Sequence, residues 1–97
     1  MKILVVDDDR GLRKSLTLIL SDAGYEVRVA EDGEEGLAMA MAEKPHLILC
    51  DVRMPKKDGL AFLREYRGGG GEALVLVMTA YGSLDLAVEA MKAGAYD

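Results

Sequence analysis

The chain has 97 residues, 51% hydrophobic and 30% charged, with a formal net charge of −5. That length holds one small core, the balance is that of a soluble globular domain, and the acidity excludes nucleic acid as this domain's own ligand, because phosphate contacts need a basic patch. The longest apolar runs, residues 3–6 and 73–78, fall far short of the roughly 18–20 residues that cross a bilayer, and Lys2 opens no secretory leader, so no membrane partner and a cytoplasmic location are expected.

Residues 2–6, Lys-Ile-Leu-Val-Val, are apolar without polar alternation, which predicts a strand covered on both faces. They run into Asp7, Asp8 and Asp9, adjacent acids that cannot continue a buried strand and so turn outward at its carboxyl end. Leu12, Leu16, Ile19, Leu20 and Ala23 then recur at helical spacing, with Arg10, Arg13, Lys14 and Asp22 on the other side and Gly24 as a left-handed stop. Residues 25–30 set Val27 and Val29 against Glu26 and Arg28, the alternation of an edge strand. Asp32 and Glu35 have capping-box spacing, and the helix they open is expected to bury Leu37, Ala38 and Met41.

After Pro45, residues 47–50 form an apolar run too short for a helix and read as a buried strand. This strand delivers Asp51 to its carboxyl end, the edge where open α/β sheets bind ligands. Pro55 stiffens the following loop and biases Met54 towards an extended conformation, and Asp58 caps a helix whose apolar face is Leu60 and Leu63. Residues 68–71, all glycine, read as a helix stop grown into a flexible linker. Residues 73–78 make a fourth buried strand ending at Thr79, and Ser83 caps a last helix with Ala87, Ala90 and Met91 inward and Gly94 at its end. Cys50, the single cysteine, excludes an internal disulfide and is placed for burial; His46, the single histidine, reads as a surface residue.

The order βαβαβαβα implies a parallel sheet with helices on both faces and right-handed crossovers. If the third strand pairs with the first, Asp7, Asp8, Asp51 and Thr79 share one edge. Each pair of such carboxylates repels by about 1 kcal/mol in water at ~4 Å and by roughly 4 kcal/mol at an effective dielectric of ~20. Either one carboxyl keeps its proton or a divalent cation sits among them, and an oxygen-only donor set favours Mg²⁺. A carboxylate beside that ion can attack a phosphoryl group to give an aspartyl phosphate, with a hydroxyl such as that of Thr79 on another oxygen. The plainer alternative makes residues 7–9 a solvated turn and Asp51 a capping acid.

The runs Val5-Val-Asp-Asp8, Asp51-Val-Arg-Met-Pro-Lys-Lys-Asp-Gly59 and Met78-Thr-Ala80 closely resemble the receiver domain of bacterial two-component response regulators. Met-Thr-Ala-Tyr-Gly82 looks most like receivers attached to sigma-54-type activators. The resemblance implies a flavodoxin-like doubly wound parallel sheet in the order 2-1-3-4 with four helices, residues 1–97 forming one receiver domain truncated at its carboxyl end. It makes Asp51 the phosphoacceptor for a phosphohistidine on a sensor histidine kinase. Mg²⁺ would be held by Asp8 directly, by Asp7 through water, by Asp51 and by the backbone carbonyl of Arg53. Thr79 would contact the phosphoryl group and couple its presence to the last helix, controlling an output domain in the same chain, a transcriptional one. The domain would be no enzyme, although it assists its own phosphoryl transfer and hydrolysis.

The family continues into a fifth strand bearing Lys-Pro and a fifth helix, whereas the sequence stops at Asp97, and Lys56, Lys57 and Lys92 do not match that lysine. Phosphorylation that is impaired, or uncoupled from any output, is therefore expected. An exposed fourth-strand edge would favour a homodimer or swapped oligomer. Two other functions compete. A haloacid-dehalogenase-type phosphatase would use Asp7 as nucleophile and Asp9 as acid, although Gly11 stands where that family expects Thr or Val. A purely structural interaction module would take no phosphate.

Overall fold

Ile3, Leu4, Val5 and Val6 are all buried, so the first strand, β1 (Lys2–Val6), is covered on both faces as its unbroken apolar run requires. The computed structural model describes residues 1–52 and 56–78. Within them the chain continues through α1 (Arg10–Asp22), β2 (Glu26–Ala30), α2 (Gly33–Glu43), β3 (Leu47–Asp51), α3 (Gly59–Gly68) and β4 (Leu74–Met78). The strands form one parallel sheet in the order β2-β1-β3-β4. The last helix expected from Ser83 onward lies outside the described residues.

That order reverses direction after β2, and right-handed crossovers therefore put α1 on one face of the sheet and α2 and α3 on the other. Leu4, Val6, Ile48, Cys50 and Val75 alternate towards the second face, where Leu60, Phe62, Leu63 and Tyr66 of α3 complete the main core. Phe62 and Tyr66 meet edge to face at 5.8 Å. Asp32 and Asp58 cap α2 and α3 by accepting the N–H groups of Glu35 and Ala61, both at 2.8 Å. Gly24 ends α1 at φ +95°, with the Tyr25 amide donating to the Leu20 carbonyl.

Three expectations are corrected. In α2 the buried stripe is Gly33, Gly36 and Ala40, while Ala38 is exposed and Met41 is 43% exposed. A β-carbon on Gly36 would stand 2.8 Å from Cγ1 of Val6, so the helix lies too near β1 for a large residue and turns its small ones inward. In α1 no residue is fully buried: Leu16 and Leu20 are half-buried, and Leu12, Ile19 and Ala23 are exposed. This helix lies chiefly over β2, the outer strand at that end of the sheet, and less over its neighbour β1, so only part of its stripe meets the sheet.

The glycine run, finally, is a tied turn and not a flexible linker. Gly69 caps α3, Gly70 takes φ +91°, and the amides of Gly70 and Gly71 donate to the carbonyls of Arg67 and Tyr66. A β-carbon on Gly71 would stand 2.3 Å from the Tyr66 ring, and the Tyr66 hydroxyl accepts the Ala73 N–H at 3.0 Å. His46 is exposed as expected, and its Nδ1 accepts the Lys2 amide at 3.0 Å.

Candidate functional site

β1 and β3 are paired neighbours, with Val6 opposite Cys50, so the next residue of each, Asp7 just past β1 and Asp51 as the last residue of β3, comes to the same carboxyl edge of the sheet. Ladder bonds hold both ends. The Asp7 amide donates to the Ala30 carbonyl at 3.1 Å, and the Val52 amide donates to the Met78 carbonyl at 3.2 Å. Asp8 follows in the turn. The carboxylates of Asp7, Asp8 and Asp51 each bring an oxygen within 4.8 Å of the others, which realises the shared edge that the strand pattern predicts. Asp7 is only 2% exposed, Asp51 half-buried and Asp8 exposed.

The third acid of the triplet does different work. Asp9 accepts the Leu12 N–H at 3.1 Å and so caps α1, while its own amide donates to Oδ1 of Asp7 at 2.8 Å. With Asp9 committed to the helix terminus and outside the carboxylate cluster, the geometry does not favour the phosphatase reading, which needs Asp9 as an acid.

Burial raises the pKa of Asp7 above the usual carboxylate range. The Asp9 amide opposes that rise, and the charges of Asp51, Asp8 and Asp9 add to it. Beside the cluster, burial and then the charges of Asp51, Asp7 and Asp58 push the Cys50 thiol up to about 12. It stays protonated, donating to the Asp51 carbonyl at 3.3 Å, and offers no soft ligand. The remaining donors are carboxylate oxygens whose mutual repulsion a positive charge would relieve. This set fits a small, hard divalent cation.

α3 packs directly behind Asp51. A β-carbon on Gly59 would lie 2.2 Å from the Asp51 carbonyl oxygen, and the Gly59 amide donates to the Val52 carbonyl at 2.8 Å. Lys57 pairs with Glu65, and Lys56 pairs with Asp32 at 3.5 Å. Glu31, Asp32 and Glu35 also approach one another, but Asp32 is the α2 cap, held below the usual carboxylate range chiefly by the Glu35 amide. Arg53 and Thr79, the other expected site residues, lie outside the described residues.

Arg13, which helical spacing assigns to the solvent side, turns back to the site. Its Nη1 donates to the Asp7 carbonyl at 2.7 Å, and the side chain is only 15% exposed. Its place one turn after the Asp9 cap is the signal that could have found it, since that position faces back over the helix start.

A family model described as the response regulator receiver domain matches residues 3–97. Response regulator MprA of Mycobacterium tuberculosis is 45% identical over 97 residues, covering 100% of this chain and 42% of that protein. The chain thus spans less than half the length of the curated relatives it matches. Among solved structures, the Vibrio cholerae chemotaxis protein CheY4 superposes with a TM-score of 0.92 at 35% identity, over 97% of this chain and 80% of that one. The BeF3-activated N-terminal receiver domain of Klebsiella pneumoniae RstA gives 0.93 at 28% identity, over 100% and 82%. Among the described residues no helix is long and apolar enough to cross a membrane.

Proposed function

The chain belongs to the response regulator receiver domains, signalling modules of two-component systems, and from that premise we propose that Asp51 is its phosphoacceptor. One observation carries the reading: the Asp51 carboxylate stands at a strand end within 4.8 Å of those of Asp7 and Asp8. In this reading an Asp51 oxygen attacks the phosphorus of a phosphohistidine on a sensor histidine kinase. The new O–P bond forms as the P–N bond breaks, and the electron pair leaves with the imidazole. Asp7, Asp8, Asp51 and the Arg53 carbonyl would hold Mg²⁺, which when bound would supply the positive charge that lets the carboxylates ionise together and offsets charge on the transferred group. Thr79 contacts the phosphoryl group and couples it to the chain that follows.

Residues 1–97 act as the receiver, working in the cytoplasm and controlling a transcriptional output domain in the same polypeptide. The same carboxylate site assists hydrolysis of its own acyl phosphate. β4 is the sheet edge among the described residues, with Leu74 52% exposed at its start, and this edge is the surface for pairing with a second copy.

Incubation with acetyl phosphate and Mg²⁺, then borohydride reduction and peptide mass spectrometry, tests the central step. Label at residue 51, lost in Asp51→Asn, is the expected result. Label at Asp7 overturns the reading in favour of a phosphatase-like role, and no label together with no amide shift at Asp51 on adding beryllofluoride and Mg²⁺ overturns it in favour of a purely structural one.

A further inference from the structure

Asp7 is gripped at several points. Its amide donates to the Ala30 carbonyl and its Oδ1 accepts the Asp9 amide, both bonds within or beside the β1 terminus. The grip on its carbonyl comes from further along the chain, from Nη1 of Arg13 at 2.7 Å. The other arm of the guanidinium, Nη2, lies 3.8 Å from Glu31, the residue that follows Ala30. One planar fork thereby ties the turn after β1 to the turn after β2.

The carbonyl it holds belongs to the peptide unit joining Asp7 to Asp8. Because that unit is planar, fixing its oxygen sets ψ of Asp7 and φ of Asp8 together. Those torsions decide how the neighbouring carboxylates are aimed relative to each other. Glu31 offsets the guanidinium charge, so geometry outweighs any repulsion between Arg13 and an incoming cation. A lysine ammonium, being a point donor on a flexible stem, cannot serve both partners as the fork does.

We propose that Arg13 is a positioning residue for the cation site, setting the separation of the Asp7 and Asp8 carboxylates and through it the affinity for Mg²⁺. The inference rests on the reading of Asp7, Asp8 and Asp51 as the Mg²⁺ site. It concerns binding and not phosphoryl chemistry, so it has a readout that needs no turnover.

The test is a Mg²⁺ titration followed by backbone amide NMR of wild type, Arg13→Met and Arg13→Lys, each first shown to melt cooperatively. Methionine keeps an apolar stem and removes the fork, so the fold survives where a smaller residue could open a gap. Arg13→Met is expected to bind Mg²⁺ roughly tenfold more weakly, the low end for loss of a group that orients metal ligands. Its Asp7, Asp8 and Asp9 amides should shift before any ion is added, and Arg13→Lys should recover part of the affinity. A merely structural residue would lower the melting temperature and leave the affinity of the folded protein within about twofold of wild type, which overturns the inference while the Mg²⁺ reading stands. Absence of any Mg²⁺-dependent shift at Asp7 and Asp8 in wild type would overturn both.

Discussion

Asp7 and Asp51 stand at matching positions on adjacent parallel strands, one residue beyond the paired Val6 and Cys50, and their carboxylates approach within 4.8 Å. The sheet thus holds together two groups that repel. Without divalent ions, Asp51→Asn should stabilise the chain by about 1 kcal/mol, the size of one like-charge pair in a partly hydrated setting. Adding Mg²⁺ should raise the urea midpoint of wild type and leave that of Asp51→Asn nearly unchanged. A variant that is less stable than wild type in EDTA would count against the repulsion.

Asp32 gives a pH dependence of definite sign. The Glu35 amide, with help from Lys56, holds its folded-state pKa below the ordinary 3.8. In the window between that depressed value and 3.8 the unfolded chain binds more protons than the native one. The contribution is therefore complete above 3.8 and is lost as pH falls through the folded value. Urea melts of wild type and Asp32→Asn should differ most near neutral pH and converge in acid; curves that stay parallel down to pH 2 would refute the assignment.

Two glycines of α3 should respond oppositely to alanine. At Gly59 the added carbon would meet the Asp51 carbonyl at 2.2 Å, so the helix start and the strand end must part. Gly59→Ala should cost about 1–3 kcal/mol and also slow acyl-phosphate formation at Asp51. At Gly68 nothing lies within 4 Å, and alanine there should stabilise by roughly 0.5–1 kcal/mol without changing labelling.

Removing the Tyr66 hydroxyl leaves the Ala73 amide, buried at the entry to β4, without its acceptor. Tyr66→Phe should cost about 1–3 kcal/mol by denaturant melts. It should also speed hydrogen exchange at residue 73 while sparing the Asp7 and Asp8 amides.

Pairing through the β4 edge would show as concentration-dependent mass in size-exclusion chromatography with light scattering. Val77→Pro should abolish it, because the ladder bonds to β3 run through the alternate residues Leu74 and Met78 and the Val77 N–H faces the outer edge. A single monomer mass across the micromolar range would dispose of that surface.

Much of this was written in local chemistry. The unbroken apolar run of β1, the acids that halt it, the short run before Asp51 and the caps at Asp32 and Asp58 each require only a few neighbouring residues, and the structure has them where the pattern puts them. What escaped depends on distance between elements. Gly36 faces inward because α2 closes on Val6, and periodicity counts apolar side chains, not the gap they must fit. The glycines after Tyr66 are ordered by a ring folding back on them, which composition alone reads as slack. Arg13 was hidden because an arginine beside Lys14 on a polar helix face gives no hint that its partner is a backbone oxygen.

The thiol of Cys50, with its pKa pushed up to about 12, shares a peptide bond with the proposed phosphoacceptor. Oxidants and electrophiles act on thiolate, and burial beside carboxylates keeps this group in the thiol form at neutral pH. The residue beside Asp51 is thereby a poor target for peroxide and for alkylating agents.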